Sequence, residues 1–298
     1  MKKILLTVFI FFATITTSYN IPSAWADSEK ITIGGYEDYP PFGWLDDNNR
    51  LQSVFGVIMD NLKTEINKDF IYRTYKQTEE NWGEDVANKQ LDIFLGAYNQ
   101  SDKFERMQLM YPAILSNPVT FFMLTIRTGE VKTPEDLKRL KGLRYSGEVF
   151  TDFVENRLSE LNLEPCDSFY DIFEKLFTRK ADYVVTGYYF GMIEAIKSGL
   201  KNYIAISKQP LWNIPVFVGV SETSPHKDRI IRHIARYFND KQVKNDVNEK
   251  LQDIIRQFER QYAGVVPPTF DVNAKSATEE ANEAKAAAPL QNNKPTND

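Results

Sequence analysis

Residues 31–42 have the sequence ITIGGYEDYPPF, in which a short apolar strand leads through two glycines into an aromatic turn. Proline fixes its own φ angle and restricts the preceding residue to extended conformations. Pro40 and Pro41 therefore hold Tyr39 and Phe42 in place before any other molecule arrives. Rigid aromatic side chains at the end of a strand favour the binding of a small molecule over the filling of a core.

The N-terminal segment has the pattern of a secretion signal. Two lysines open it, residues 4–15 form an apolar run too short to span a bilayer comfortably, and Ala24-Trp25-Ala26 is a small-x-small cleavage sequence. We therefore expect residues 1–26 to be a signal peptide and the mature chain to begin near Asp27, in the periplasm. The alternative is an uncleaved membrane anchor.

The composition argues against several classes of protein. The 36 basic and 41 acidic residues give a net charge of −5, so no basic stripe is available for nucleic acid. The only cysteine, Cys166, cannot form an internal disulfide, and we expect it to be a buried structural residue. The only histidines, His226 and His233, are expected at the surface, and their scarcity argues against a zinc site or a histidine-based triad. We expect no metal and no cofactor.

Hydrophobic periodicity predicts a β-α-β pattern twice along the chain. In the first unit a helix covers residues 56–66, and a buried strand at residues 91–96 ends in glycine. The second unit ends in a similar strand at residues 181–187, and two helices follow a return strand at residues 216–220. Parallel strands with helical crossovers indicate an α/β fold with two similar lobes. Beyond Pro267-Pro268 large apolar residues almost vanish, which predicts a disordered tail.

Several short motifs occur in an order that resembles bacterial extracellular solute-binding family 3, the periplasmic receptors of polar amino acid ABC transporters. They span about residues 30–260, and their order and spacing together make the pattern specific. The motifs are Tyr39-Pro40-Pro41-Phe42, residues 56–62, Trp82 with residues 91–93, Glu105-Arg106 before Tyr111-Pro112, residues 133–138, Lys141-Gly142, Ser146-Gly147, residues 168–171 and residues 179–185.

The resemblance implies a two-lobed clamshell of the periplasmic binding protein type II class, with two hinge strands. Residues 27–118 and 216–265 would form lobe 1, residues 119–215 lobe 2, and residues 266–298 the tail. Such a protein would be a monomer without catalytic activity that closes over a small polar or zwitterionic, amino-acid-like solute. It would deliver the solute to an inner-membrane permease of the ABC type or to a sensor.

The resemblance also implies a set of residues that contact the ligand. Tyr39 and Trp82 would be aromatic walls, and Ser146-Gly147 an anion-cradling turn. Arg106 matches the arginine that holds a carboxylate, although counting forward from Gly96 favours Lys103 instead. The full set of implied ligand residues is Tyr39, Trp82, Gly96, Tyr98, Arg106, Ser146, Gly147, Glu148 and Gly187.

Two of these positions depart from the family pattern. Glu148 replaces a hydroxyl residue, and Gly187 replaces the acid that binds the ligand's amino group. An ammonium group buried without a carboxylate partner is costly. Either the protein does not bind an ordinary α-amino acid in the usual pose, or Glu148 takes over the amino group.

Two other functions fit the same resemblance. Some relatives of the family resemble dehydratases of cyclohexadienyl acids, for which Glu148 would be the general acid because burial raises a carboxyl pKa. A clamshell that has lost its ligand and serves as a sensory or adhesive domain is the other alternative.

Overall fold

The computed structural model describes residues 30–78, 82–99, 106–129, 131 and 133–270. Its strands are β1 (Lys30–Tyr36), β2 (Asp38–Tyr39), β3 (Gly43–Leu45), β4 (Leu51–Gln52), β5 (Asp69–Tyr75), β6 (Ile93–Tyr98), β7 (Met107–Leu109), β8 (Leu115–Leu124), β9 (Gly142–Tyr145), β10 (Leu163–Cys166), β11 (Tyr183–Gly187), β12 (Ile204–Ile206) and β13 (Trp212–Ser221). Its helices are α1 (Gly56–Ile66), α2 (Trp82–Ala87), α3 (Asp152–Leu158), α4 (Phe169–Phe177), α5 (Tyr188–Lys197), α6 (Lys227–Phe238) and α7 (Lys241–Gln261), with 3-10 helices at Thr125–Arg127 and Pro134–Arg139.

Ten strands of the described chain form one mixed sheet in the order β10-β9-β11-β8-β13-β6-β1-β5, with β12 beside β8 and β7 beside β13. In its first half, β1 pairs in parallel with β5 and β6. In its second half, β9 pairs in parallel with β10 and β11. The long strands β8 and β13 pair antiparallel with each other and join the two halves. The predicted α/β class, with two parallel units, is confirmed.

Helix α4 shows why these elements form where the sequence predicts them. Ser168 accepts a hydrogen bond from the backbone N–H of Asp171 at 3.1 Å and so caps the helix. Phe169, Ile172, Phe173 and Leu176 recur at helical spacing and are buried. The predicted helix start at Thr133 is also present, with its reciprocal capping bonds, but the turn that follows is a 3-10 helix.

Strand β10 is the main element that the sequence pattern did not predict. It contains Pro165, which cannot donate a ladder hydrogen bond and argues against a central strand. The sheet order gives the reason that it is tolerated, because β10 is at the edge and pairs only with β9. Cys166 ends this strand and is buried with a free thiol, as expected.

The expectation that His226 lies at the surface is wrong. His226 is 4% exposed at the start of α6, where its backbone N–H donates to Ser224 Oγ. The apolar face of α6, with Ile230 and Ile234 fully buried, draws the start of the helix against the protein. His233, two turns later, is only partly exposed and contacts Glu65.

The C-terminal region crosses from one half of the molecule to the other. Phe258 of α7 packs on Trp44, with ring centroids 5.9 Å apart. After α7 the chain is irregular to Phe270, whose ring lies 5.2 Å from that of Phe177 and 5.8 Å from that of Tyr170.

The remainder of the predicted tail and the predicted signal peptide lie outside the described residues. No helix within the described ranges has the length and hydropathy needed to cross a membrane.

Candidate functional site

Four of the candidate residues, Tyr39, Tyr98, Glu148 and Gly187, meet at the middle of the sheet, beside the strands that join its halves. Tyr39 follows β1, Tyr98 ends β6, Asn117 lies within β8, and Gly187 ends β11. Glu148 lies in the loop after β9. In α/β proteins, ligands bind outside the carboxyl ends of the strands, and β6, β9 and β11 all contribute their carboxyl ends here.

The Glu148 carboxylate is the centre of this cluster. It is 1% exposed and accepts three hydrogen bonds. Tyr39 Oη donates to Oε1 at 2.7 Å, the Gly187 backbone N–H donates to Oε1 at 3.0 Å, and Thr186 Oγ1 donates to Oε2 at 2.7 Å. Because Tyr39 follows the first half of the sheet and Glu148 the second, their hydrogen bond ties the two halves together.

Asn117 and Tyr98 extend the network behind Tyr39. Asn117 Nδ2 donates to Tyr39 Oη and to Tyr98 Oη, both at 2.9 Å, and Tyr98 Oη donates to Tyr39 Oη at 3.2 Å. Asn117 and Thr186 were not predicted from the sequence. Asn117 could have been found from its amide within the otherwise mostly apolar stretch Leu115–Leu124. A buried polar group must be hydrogen-bonded, so such an amide indicates a polar partner in the interior.

An arginine holds the loop that carries Glu148. Arg144 binds Glu155 with both terminal nitrogens, Nη1 at 2.8 Å and Nη2 at 3.1 Å, and Nη2 also donates to the backbone carbonyl of Glu148 at 3.1 Å. Glu155 Oε1 accepts from the Phe150 backbone N–H at 2.9 Å. From the other half, Gln77 Oε1 accepts from the backbone N–H at residue 149 at 3.3 Å. These bonds fix the direction in which the Glu148 side chain leaves the loop.

Aromatic rings surround the hydrogen-bonded cluster. The Tyr39 ring lies 4.8 Å from Phe190, 5.7 Å from Phe42 and 5.9 Å from Tyr36, measured between centroids. Phe190 in turn lies 5.2 Å from Phe169. The rings keep bulk water away from the carboxylate, so the local dielectric constant is low and charge interactions are strong.

Burial changes the acidity of both partners in the central hydrogen bond. It raises the pKa of Glu148 to about 6, although the bonds from Tyr39, Thr186 and Gly187 act in the opposite direction. Burial, followed by the nearby charge of Glu148, raises the pKa of Tyr39 well above its ordinary value. Tyr39 therefore keeps its proton and remains the donor.

Gly187 makes room for the network. A Cβ atom at this position would lie 2.6 Å from Asn117 Nδ2 and 3.0 Å from Glu148 Oε1. The Glu148 carboxylate therefore lies at the end of β11, beside residue 187, where the family pattern has an acid. A side chain at residue 187 and the observed arrangement of Glu148 and Asn117 exclude each other.

The structure places the other implied ligand residues unevenly. Gly96 is buried behind Phe42, and Gly147 immediately precedes Glu148. Ser146 is exposed, and its hydroxyl lies within hydrogen-bond distance of the Cys166 carbonyl and the Asp167 carboxylate and does not face the cluster.

Arg106 lies far from the Glu148 cluster. It is exposed, and its backbone carbonyl accepts from the Glu222 N–H beside Ser221, at one end of β13. Tyr98 pairs with Val216 nearer the other end of that strand. The structure therefore does not bring Arg106 to the cluster. Lys103 and the Trp82 side chain lie outside the described residues.

Comparison with known proteins identifies the fold. No family model and no curated protein matches the chain. An amino acid ABC transporter substrate-binding protein from Streptococcus pneumoniae, bound to L-arginine, superposes with a TM-score of 0.59 at 11% identity, over 77% of this chain and 96% of that one. The chain has the fold of the type II periplasmic binding proteins. The predicted two-lobed class is confirmed.

Two further solved structures share this periplasmic binding protein fold. A histidine kinase sensor domain with similarity to periplasmic binding proteins has a TM-score of 0.53 at 14% identity, over 80% of this chain and 98% of that one. An ancestral amino acid-binding protein, a precursor of cyclohexadienyl dehydratase, has a TM-score of 0.52 at 13% identity, over 78% and 95%. At these identities the likeness establishes the fold.

The space at Gly187 gives a direct test of the packing in the cluster. Gly187→Ala should lower the free energy of unfolding by about 1–3 kcal/mol because its Cβ overlaps Asn117, as in other overpacked cores. Gly56→Ala is the matched control, since a Cβ there meets no atom within 4 Å. Urea denaturation of the three proteins measures the effect, and an equal stability for Gly187→Ala and wild type would contradict the packing.

The pKa of Glu148 predicts a pH-dependent stability. A pKa raised from 4.5 to about 6 means that the folded protein binds this proton more tightly than the unfolded chain. The resulting stabilisation is complete below pH 4.5 and is lost as pH rises through 6, a change of about 2 kcal/mol. The charged and titratable groups around Glu148 are Tyr39 on β2, Tyr98 on β6, Arg144 and Tyr145 on β9, and Glu155 on α3.

Glu148→Gln isolates this contribution, because it keeps the shape of the side chain and removes the titration. The free energy of unfolding of wild type minus that of Glu148→Gln should fall by about 2 kcal/mol between pH 4.5 and 7.5. Urea denaturation at intervals of half a pH unit measures both curves. Parallel curves would show that Glu148 has an ordinary pKa.

Proposed function

We propose that this protein is a periplasmic solute-binding receptor that closes two lobes over a small amino-acid-like solute. One observation carries the proposal, namely the buried cluster in which Tyr39 and Glu148 meet across the middle of the sheet. In this fold, polar groups that converge at the carboxyl ends of strands are suited to hold a ligand. The S. pneumoniae protein with the same fold binds L-arginine, which supports an amino-acid-like solute.

The lobes in this proposal are residues 27–118 with 216–265, and residues 119–215. Their boundaries fall in β8 and close to the middle of β13, the two long strands that connect the parallel units. Two such connections suit a hinge, because a few residues then absorb the rotation of one lobe against the other. The Tyr39–Glu148 hydrogen bond would form on closure and break on opening.

The location and partners follow from the N-terminal pattern and the fold. A signal peptide at residues 1–26 would direct the chain to the periplasm. There it would act as a monomer and present its solute to an ABC-type permease or a membrane sensor. The receptor would have no catalytic activity of its own.

The position of Arg106 bears on how a solute carboxylate would be held. Because Arg106 is exposed beside the Ser221 end of β13, away from the cluster, we propose Lys103 as the cationic anchor. A charge-assisted hydrogen bond of this kind is worth about 1.5–3 kcal/mol. Lys103→Ala should then weaken solute binding more than tenfold, and Arg106→Ala should leave it unchanged.

A melting-temperature screen with the twenty standard amino acids tests the receptor function. A solute at 100 times its Kd stabilises the folded state by about 2.7 kcal/mol, which raises the melting temperature by several degrees. We expect such a shift with at least one amino acid, followed by saturable binding in calorimetric titration. An unchanged melting temperature with all twenty at 10 mM would contradict the proposal.

Two observations favour alternative functions. Tyr39 and Glu148 are hydrogen-bonded within the protein, which suits a ligand-free sensory domain and agrees with the fold of the kinase sensor. A buried glutamic acid with a pKa of about 6 suits a general acid, which favours a dehydratase-like enzyme. Product formation from prephenate or arogenate would identify the enzyme. No product here and no melting shift in the amino acid screen would favour the sensory domain.

A further inference from the structure

A groove in the second half of the molecule lies well away from the Glu148 cluster. It has a volume of about 690 Å³, and its apolar walls are formed by Leu124, Ile126, Phe177 and Tyr203. In the sheet, Gly187 of the cluster pairs with Val119, and Leu124 lies five residues further along β8. Five residues of extended strand span about 17 Å. The groove is therefore separate from the proposed solute site.

The apolar side chains of this groove are open to solvent. Ile126 is 77% exposed and Tyr203 is 52% exposed. The Tyr203 ring lies 6.2 Å from that of Phe177, so the exposed surface continues from one wall to the other. Adjoining exposed apolar side chains are typical of a surface that binds another segment or molecule.

The C-terminal chain lies against this half of the molecule as it leaves α7. Glu259 forms an ion pair with Lys201. Further along, the carbonyl oxygen of Val265 lies 2.7 Å from the position that a Cβ on Gly199 would take. Gly199 has a φ of +69°, and because it has no Cβ the C-terminal chain can approach the loop between α5 and β12 closely.

The described part of the C-terminal chain ends beside the groove. The Phe270 ring packs 5.2 Å from Phe177, which is one of the groove walls, and 5.8 Å from Tyr170. Two residues of extended chain span at most about 7 Å. Val272, the next large apolar residue, is therefore within reach of the groove whichever way the chain turns.

The charges of the groove and of the following segment are complementary. Arg179 lines the groove, is exposed, and has no ion-pair partner within the part of the chain that the structure describes. Residues 271–283 contain four acidic side chains and one lysine. An acidic segment beside an unpaired arginine gains a charge-assisted contact.

We propose that this groove is the docking site of the chain's own C-terminal segment, residues 271–283, with Val272 between the apolar walls and the acidic side chains at Arg179. A segment with so few large apolar residues cannot fold alone, and it becomes ordered only on a surface that the rest of the chain provides. The groove supplies that surface. The inference is independent of the receptor function, because the groove is separate from the solute site.

Photochemical crosslinking from the groove tests the docking directly. Tyr203→p-benzoylphenylalanine places a photoreactive group on a groove wall of the otherwise unchanged protein. Irradiation should link it to residues 271–283 of the same molecule, in a product with the mass of the monomer. Digestion with trypsin and tandem mass spectrometry identify the linked residues.

Tyr72→p-benzoylphenylalanine is the matched control, because Tyr72 is a tyrosine of similar exposure, 48%, on β5 in the other half of the sheet. It should give few or no links to residues 271–283. A segment that stays free in solution would react with both positions without preference.

Two further substitutions in the Tyr203→p-benzoylphenylalanine protein test the contacts. Val272→Asp should lower the yield of the link about tenfold, because it removes the apolar contact. Arg179→Glu should lower the yield about twofold to fivefold, because it reverses an exposed charge. Arg232→Glu, at an exposed arginine of α6, is the control and should leave the yield unchanged. Melting curves show that each variant is folded.

Three results would overturn the inference. The first is a link from Tyr203 in a product of twice the monomer mass, which would place a second copy in the groove. The second is a lack of links to residues 271–283 from position 203 and also from Ile126→p-benzoylphenylalanine, which probes a second groove wall. The third is a yield that neither Val272→Asp nor Arg179→Glu lowers.

Discussion

A negative charge held away from water is the constraint on which the centre of this molecule depends. Glu148 is buried between two halves of a sheet and is stabilised by hydroxyl and backbone dipoles. Each donor must stay in place, because an unsatisfied buried carboxylate costs several kcal/mol. This requirement explains the aromatic turn that positions Tyr39 and the glycine that ends β11.

The burial of this charge also links the conformation of the two lobes to the acidity of Glu148. If the lobes open, Tyr39 and Glu148 separate and water solvates the carboxylate. If they close, the dipoles of the protein replace that water, and burial raises the pKa of the carboxyl group. Opening of the lobes would therefore return the pKa of Glu148 toward its ordinary value.

The sequence predicted much of the fold because its signals are local. Helix α4 has a capping serine and a periodic apolar face, and β11 ends at Gly187 as predicted. The strand predicted at residues 91–96 is β6, which runs from Ile93 to Tyr98, so Gly96 lies inside it and does not end it. Strand β10 was missed because Pro165 is unfavourable in a strand unless the strand is at an edge, and edge position is a property of the whole sheet. His226 was misplaced for a similar reason, since its burial depends on how α6 packs.

The candidate site was only partly predictable from the sequence. The resemblance indicated Tyr39, Glu148 and Gly187 individually. Three-dimensional structure was needed to show that the Glu148 carboxylate lies against Gly187, where a side chain at residue 187 would meet it. Asn117 and Thr186 carry no sequence motif, because hydrogen bonds between residues about 40 to 80 positions apart depend on topology.

The most direct test of the account is the titration of Glu148 itself, followed by NMR of carbon-13-labelled glutamate carboxyl groups, with Glu148→Gln used to assign the signal. The account predicts a midpoint near pH 6 in the free protein. A midpoint at the ordinary glutamate value would contradict it.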